Sequence, residues 1–167
     1  MAYGNFPRHL RNYLYPYVSG ASVWDLGAGD LTHSLMLQEL GAMVVAVDKE
    51  PMPEYPGITT IQKTFEELNV QLEKIGTVFV SWPPNWRTGL GKIVEKASTV
   101  IYLGQNSAER GSACGGPTFW EEVTQRRIII SHDKLLENTL IIYGRRKPLK
   151  RALLKEEREA FDQWFPT

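Results

Sequence analysis

Two glycines and two carboxylates near the start of the chain have the spacing of a ligand-binding turn. Residues 23–30 read Val-Trp-Asp-Leu-Gly-Ala-Gly-Asp, and Ala-Val-Asp follows at residues 46–48. Gly27 and Gly29 lack Cβ atoms, so the backbone there can take positive φ and come close to a ligand. Asp48 ends a second apolar run, where a carboxylate can accept two hydrogen bonds from a ribose diol. The pattern predicts a pocket for a cofactor that carries a nucleoside.

A strand, a helix and a second strand must position these groups. Residues 22–26 predict the first strand and residues 43–48 the second, because both runs are short and apolar. Residues 31–41 have apolar side chains on one face and end at a glycine, which predicts a helix. Asp30 or Thr32 could cap the start of this helix. The helix N-terminus offers free N–H groups and partial positive charge, which suit an anion.

The residue types in the turn separate two classes of cofactor. A dinucleotide fingerprint requires a third glycine where this chain has Thr32, and Asp25 and Asp30 would repel a pyrophosphate. The remaining pattern, Asp-Leu-Gly-Ala-Gly at residues 25–29, resembles motif I of the class I S-adenosylmethionine-dependent methyltransferases, and Asp48 matches their acidic motif II. The resemblance implies S-adenosyl-L-methionine as the cofactor, with its methionine portion against the turn and its ribose on Asp48. The alternative is a glycine turn that binds nothing.

The resemblance also implies which residues contact this cofactor. Asp25 can attract the cofactor's ammonium group, directly or through water. Thr64 and Phe65 follow the third strand, where the family often has an acidic residue that touches adenine; here Phe65 could pack on the ring instead. The expected cofactor-binding residues are Asp25, Gly27, Ala28, Gly29, Asp48, Lys49, Thr64 and Phe65.

A second group of candidate residues follows the fourth strand, where an open parallel sheet of this type places its ligands. Residues 80–86 read Val-Ser-Trp-Pro-Pro-Asn-Trp, which is similar to motif IV of the amino-methyltransferases, Asn/Asp/Ser-Pro-Pro-aromatic, with the polar and aromatic positions exchanged. Polar atoms here could orient the N–H groups of an amine, the prolines stiffen the loop, and a tryptophan could stack on a planar acceptor. A rigid exit turn around a buried Trp82 is the alternative. The candidate catalytic residues are Ser81, Trp82, Pro83, Pro84 and Asn85.

Helix and strand patterns alternate along the rest of the chain. Two β-branched runs, at residues 127–131 and 139–143, are joined by a segment too short for a crossover helix, which predicts an antiparallel pair. This ending matches the class I methyltransferase topology, in which the strands lie in the order 3-2-1-4-5-7-6. We therefore expect an α/β, three-layer Rossmann-like methyltransferase fold, a mostly parallel seven-stranded sheet with an antiparallel C-terminal hairpin, as a single domain over residues 1–167. The other predicted strands are 58–62, 77–81 and 99–103, the other predicted helices 65–74, 89–96 and 118–125, and residues 51–57 are predicted to form a proline-rich loop.

Composition excludes several classes of protein. The chain has 167 residues, of which 43% are hydrophobic, and 19 basic residues balance 19 acidic ones, so net charge does not indicate a nucleic-acid partner. The one cysteine excludes an internal disulfide, the three scattered histidines predict no metal site, and no apolar run is long enough to span a membrane. Without a signal-peptide pattern, we expect a cytoplasmic protein.

Two segments stay open to a functional interpretation. Cys114, in the glycine-rich loop at residues 104–117, is either a nucleophile or an ordinary loop cysteine, and no histidine partner can be assigned to it. The basic cluster at residues 145–151 leads into a predicted amphipathic helix at residues 150–163. A solvated face is favoured there over nucleic-acid contact.

These patterns predict an S-adenosylmethionine-dependent methyltransferase whose acceptor is an amino group of a base, a protein or a small molecule. A catalytically silent binding or scaffold protein with the cofactor fold is the first alternative, which the exchanged Trp-Pro-Pro-Asn order favours. A nicotinamide-dependent oxidoreductase is the second, and it lacks both the third glycine and a recognisable hydride-site residue.

Overall fold

The computed structural model describes residues 8–83, 89–104, 116–134 and 138–146 of the chain. Apolar, β-branched segments within these ranges form seven strands, in agreement with their period and composition. The strands are β1 (Ser22–Leu26), β2 (Met43–Asp48), β3 (Thr59–Gln62), β4 (Ile75–Ser81), β5 (Ala97–Gly104), β6 (Arg126–Lys134) and β7 (Asn138–Arg146). After a 3₁₀ turn at Arg8–Leu10, the helices are α1 (Arg11–Val18), α2 (Thr32–Glu39), α3 (Phe65–Gln71), α4 (Leu90–Glu95) and α5 (Gly116–Val123).

The strands form one sheet in the order β3-β2-β1-β4-β5-β7-β6. The first five strands run parallel, whereas β7 pairs antiparallel with both β5 and β6. The predicted strand order and the antiparallel ending are therefore confirmed. From β1, the strands β2 and β3 extend the sheet in one direction, and β4 and β5 extend it in the other. The switch point between β1 and β4 is the position where open α/β sheets bind ligands.

Alternating side chains of the strands fill two separate apolar cores, which makes the fold three-layered. On one face, Val23, Phe79 and Ile101 pack with apolar side chains of α1 and α2. On the other face, Val78 and Val100 pack with apolar side chains of α3, α4 and α5. Because the sheet is covered on both sides, its central strands are almost continuously apolar, and a polar side chain within them requires an explanation.

Residues 49–58 connect β2 to β3 without a helix, although parallel neighbours are usually joined by one. The sequence predicts this irregular connection from its prolines. Gln38 Nε2 donates a hydrogen bond of 3.0 Å to the carbonyl of Pro56, which attaches the connection to α2. None of the helices in the described ranges is long and apolar enough to cross a membrane.

Several helix ends differ from the sequence prediction by one to three residues, and the C-terminal end of α3 differs most. Residues 65–74 are predicted to be helical and the next strand to begin at residue 77, but α3 ends at Gln71 and β4 begins at Ile75, which pairs with Ala97. Lys96 explains the early end, because its Nζ donates to the carbonyls of Asn69 at 2.6 Å and Leu72 at 2.5 Å. The ammonium group of Lys96, which is distant in the sequence, thus donates hydrogen bonds to the last carbonyls of α3.

Candidate active site

The turn after β1 has the backbone that its glycines predict. Gly27 has φ of +81° and Gly29 has φ of +57°, in the left-handed region that favours glycine. The backbone N–H groups of Gly27 and Ala28 donate to the carbonyl oxygen of Val47 at 2.7 Å and 2.9 Å. The turn is therefore fixed against the carboxyl end of β2.

Asp48 lies beside this turn and is held by two backbone donors. Its Oδ2 accepts a hydrogen bond of 2.9 Å from the N–H of Gly29, and its Oδ1 accepts one of 2.9 Å from the N–H of Glu50. An ionised carboxylate has about four acceptor positions, so both oxygens can accept further hydrogen bonds. Two backbone N–H groups thus orient the side chain, and both of its oxygens retain capacity for further hydrogen bonds.

A carboxylate of the chain itself accepts hydrogen bonds at the start of α2. Asp30 Oδ1 accepts hydrogen bonds from the N–H of Thr32 at 3.0 Å and from its hydroxyl at 2.7 Å. Leu31, between them, has φ of +69° and is buried, so the turn closes tightly over the apolar core. Of the two capping residues that the sequence allows, Asp30 supplies the acceptor. Its negative charge makes the helix N-terminus less suited to an anion than the sequence indicated.

Asp25 is a buried carboxyl group in the centre of the site. Its side chain is 1% exposed, and Oδ2 accepts a hydrogen bond of 2.6 Å from the hydroxyl of Ser34. Oδ1 is buried and has no hydrogen-bond partner among the described residues. Burial raises the pKa of Asp25 to about 7, the bond from Ser34 opposes this, and the charges of Asp48 and Asp30 add to it. Asp25 therefore changes protonation near neutral pH.

The expected adenine side of the site contains an aromatic ring. A Cβ atom built on Gly27 would lie 3.9 Å from Cζ of Phe65, so the first residue of α3 is adjacent to the turn. Thr64 forms a capping box with Glu67, in which each backbone N–H bonds the other side chain at 3.1 Å. The backbone carbonyl of Lys49 accepts a hydrogen bond of 3.3 Å from Gln62 Nε2. Contact of Thr64 and Lys49 with a cofactor stays a prediction.

The chain turns sharply at the end of β4, where the acceptor was expected. Trp82 has φ of +44°, a rare conformation for a bulky residue, and its N–H donates to the carbonyl of Leu103 at 2.7 Å. Its indole Nε1 is buried without a hydrogen-bond partner in the described ranges, and Pro83 is buried. Backbone strain of this kind is often found at functional sites. The predicted site residues Pro84 and Asn85, like Cys114, lie outside the described residues.

His33 is a polar neighbour of Ser81 that the sequence did not identify as part of the site. Its Nδ1 lies 3.1 Å from Ser81 Oγ, and its ring packs against Phe79 with centroids 5.4 Å apart. His33 is 3% exposed and the next residue, Ser34, is fully buried. In the first turn of α2, Ser34 thus donates a hydrogen bond to Asp25 of β1, and His33 lies within hydrogen-bond distance of Ser81 of β4.

The site therefore brings together most of the predicted residues at the carboxyl ends of three adjacent strands. It can accept hydrogen bonds from a diol or an ammonium group, and it contains one hydroxyl paired with an imidazole. Within the described ranges, no three His, Cys, Asp or Glu side chains are grouped to hold a metal ion. Binding of an organic cation and transfer of a proton are the chemistry that these groups support.

Comparisons with known proteins establish the fold. No family model and no curated protein matches the sequence. Magnesium protoporphyrin IX methyltransferase from Synechocystis PCC 6803, solved with bound S-adenosylmethionine, superimposes with a TM-score of 0.56 at 14% identity, over 82% of this chain and 78% of that one. An S-adenosylmethionine-dependent methyltransferase from Anabaena variabilis ATCC 29413 gives a TM-score of 0.58 at 9% identity, over 86% of each chain. The chain thus has the Rossmann-like fold of S-adenosylmethionine-dependent methyltransferases, as the sequence predicts.

Proposed function

We propose that this protein is an S-adenosylmethionine-dependent methyltransferase. The observation that carries the proposal is the unit formed by the glycine turn and Asp48, in which Asp48 Oδ2 accepts the N–H of Gly29 at 2.9 Å. The unit lies at the carboxyl ends of β1 and β2 in a sheet with methyltransferase topology. It combines a backbone open to close approach with an acceptor for a ribose diol.

The charges around the turn fit the proposed cofactor. Asp25, Asp30 and Asp48 lie close enough together for the last two to raise the pKa of Asp25. Such a group of carboxylates attracts a ligand that carries sulfonium and ammonium charges, and it repels a pyrophosphate. Asp25 Oδ1, which lacks a partner among the described residues, supplies an acceptor for the ammonium group, directly or through water. The residues present therefore fit S-adenosylmethionine better than a dinucleotide.

The other half of the proposed site begins at Ser81. Ser81 is the last residue of β4. It lies next to the turn after β1, because β1 and β4 are parallel neighbours with Leu26 opposite Val80. When bound, S-adenosylmethionine supplies a methyl group that a nucleophile can accept. The contribution of this chain is to hold and orient the two reactants, and positioning of this kind can supply much of the rate. We assign Ser81, Trp82, Pro83, Pro84 and Asn85 to the acceptor side, with an amino group as the favoured acceptor.

Calorimetry with S-adenosylmethionine and S-adenosylhomocysteine tests the cofactor assignment. We expect both to bind, because both contain the ribose and the amino-acid portion that the turn and its carboxylates recognise. NADH, followed by its fluorescence, is the matched control and should not bind, because its pyrophosphate meets Asp25 and Asp30. Absence of binding at about millimolar ligand, a ΔG° weaker than about −4 kcal/mol, would contradict the proposal.

A catalytically silent binding protein is the second candidate function. The exchanged order at residues 82–85 favours it, because Trp82 follows β4 where related loops have a polar residue. Transfer of a tritiated methyl group to the protein, nucleic-acid or small-molecule fractions of a cell extract separates the two candidates. Label in any one fraction supports the enzyme, whereas cofactor binding without transfer to any fraction supports the silent protein.

A further inference from the structure

The pair of Ser81 and His33 lies where the proposed reaction needs a group that handles a proton. Ser81 Oγ and His33 Nδ1 are 3.1 Å apart, within hydrogen-bond distance. Ser81 is partly exposed, whereas His33 is 3% exposed. The Ser81 side chain is therefore partly exposed to solvent, and the buried imidazole of His33 orients its hydroxyl.

Packing alone does not explain this pair. The same side of α2 contributes apolar residues to the core farther along the helix, among them Met36 and Leu37. A buried polar group without a partner costs about 1–3 kcal/mol, so an apolar residue at position 33 would be the simpler solution against Phe79. The buried polar residues of α2, His33 and Ser34, lie in its first turn. This turn is near the point between β1 and β4 where ligands bind in such sheets.

We propose that His33 is a positioning residue that takes up, through Ser81, the proton released in methyl transfer. This inference rests on the proposed function. His33 Nδ1 accepts the hydrogen bond of the Ser81 hydroxyl, and the lone pairs of Oγ accept the O–H or N–H of the methyl acceptor. Both side chains are then oriented before the acceptor arrives, because the His33 ring is fixed against Phe79.

The proton transfer balances without a further reactant. The acceptor atom forms its bond to the methyl carbon as the methyl–sulfur bond breaks, and the electron pair of that bond stays on sulfur. The acceptor's proton moves to Ser81 Oγ, and the proton of the Ser81 hydroxyl moves to His33 Nδ1. One positive charge is lost at sulfur and one is gained on the imidazole ring, so the total charge is unchanged.

The relay narrows the class of acceptor. A hydroxyl group must lose its proton as the new bond forms, and a weakly basic N–H group, such as the exocyclic amine of a nucleobase, benefits from the same assistance. An alkylamine is an ammonium ion near neutral pH and must lose a proton before it attacks. The relay therefore fits an acceptor whose proton must be removed within the site, and it does not fit an acceptor atom that carries no proton, such as a thioether sulfur or a tertiary amine.

Nitrogen NMR of the labelled full-length protein tests the direction of the hydrogen bond. At a pH where the ring of His33 is neutral, we expect Nδ1 to carry no proton and Nε2 to carry one. The resonances of His33 are identified by their loss in the His33→Asn variant, and Ser81→Ala should shift the Nδ1 resonance. A proton on Nδ1 would overturn the relay, because that nitrogen could not then receive another.

A comparison of two ligands tests whether the pair faces the transferred methyl group. S-adenosylmethionine carries a positive sulfonium, whereas S-adenosylhomocysteine carries a neutral thioether and is otherwise alike. The His33 ring resonances should therefore differ between the two saturated complexes, whereas the backbone N–H resonance of His132, on β6 at the edge of the sheet, should not. Equal His33 spectra with binding of both ligands verified by calorimetry would overturn the inference and leave the proposed function standing. Absence of binding would overturn both.

Discussion

The backbone N–H of Gly29 donates a hydrogen bond of 2.9 Å to Asp48 Oδ2, which joins the turn after β1 to the end of β2. The other oxygen of the same carboxylate accepts the N–H of Glu50 at 2.9 Å. Two backbone donors thus fix the carboxylate before a ligand arrives, and a group that is already ordered loses less entropy on binding. Asp48 is therefore the residue whose substitution should most directly weaken cofactor binding.

Substitution of Asp48 by alanine should weaken the binding of S-adenosylmethionine at least about tenfold, because a hydrogen bond to a charged acceptor contributes about 1.5–3 kcal/mol. Calorimetry measures the change in Kd. Glu50→Ala is the matched control, because it removes a neighbouring carboxylate but keeps the backbone N–H that Asp48 accepts. An unchanged Kd for Asp48→Ala, or an equal loss for Glu50→Ala, would show that Asp48 does not hold the ribose.

The buried carboxyl of Asp25 should make the stability of the fold depend on pH. Burial raises its pKa from 3.8 to about 7, so the folded chain binds more protons than the unfolded chain between these values. The stabilisation from the protonated carboxyl is complete below the unfolded pKa and is lost as pH rises through the folded pKa. A shift of this size corresponds to at most about 4 kcal/mol.

Urea denaturation of Asp25→Asn measures this contribution. The variant should gain stability relative to the native chain between about pH 5 and about pH 8, because the amide does not ionise. Ser34→Ala is the companion variant, since it removes the hydrogen bond that lowers the pKa of Asp25 and should extend the decline to higher pH. If the difference in the free energy of unfolding between Asp25→Asn and the native chain is the same at about pH 5 and about pH 8, the pH dependence does not come from Asp25.

The backbone of the turn, rather than the space around it, should make Gly27 intolerant of a side chain. Gly27 has φ of +81°, and an added Cβ would meet only Phe65 Cζ at 3.9 Å, an ordinary contact. Gly27→Ala should therefore lower the free energy of unfolding by about 1–2 kcal/mol, the cost of left-handed backbone for an L-residue. Gly76→Ala is the control, because Gly76 lies outside that region and its Cβ would meet only the carbonyl of Ser22 at 4.0 Å. Urea denaturation measures the free energy of unfolding of both variants. An equal decrease for Gly27→Ala and Gly76→Ala would show that the left-handed backbone of Gly27 is not the cause.

Local patterns in the sequence were sufficient to predict the strands and the turn. The strands are short apolar runs, and the link between the last two is too short for a crossover helix, which predicts that they are antiparallel. The order of the strands in the sheet was predicted from the resemblance to class I methyltransferases. Gly27 and Asp48 belong to a pattern whose geometry is set within one β–α–β unit. For this reason the sequence predicts that the turn and Asp48 belong to one site, whereas the hydrogen bond between Gly29 and Asp48 is a finding of the structure.

Contacts that depend on packing between distant segments were not predicted. Nothing near His33 in the sequence indicates that it meets Ser81, because the direction of its side chain depends on how α2 is placed on the sheet. Lys96 binds the last carbonyls of α3 in the same long-range manner, so the end of this helix at Gln71, before the predicted residue 74, was not predicted. The roles of Pro84 and Asn85 stay predictions, since both lie outside the described residues.

A buried ion pair on the far side of the sheet is a further contact of this long-range kind. Arg126 Nε lies 3.3 Å from Glu122 Oε1, and these side chains are 1% and 5% exposed. The guanidinium also donates to the carbonyls of Gly144 at 3.1 Å and Val94 at 2.8 Å. Arg126 therefore connects α5 and β6 with β7 and the end of α4.

Loss of Arg126 should destabilise the fold much more than loss of a partly exposed arginine. Arg126→Ala leaves the carboxylate of Glu122 buried without this cation, so the free energy of unfolding should fall by about 3–5 kcal/mol. Arg11→Ala is the matched control, because Arg11 pairs with Glu39 at 3.2 Å in an exposed bridge, with side chains 31% and 68% exposed, and its loss should cost less than about 1 kcal/mol. Urea denaturation of both variants measures the difference. Equal losses would mean that the buried pair contributes no more than the surface pair. Partial recovery in Arg126→Ala combined with Glu122→Gln would attribute the cost to the buried carboxylate that loses the Arg126 cation.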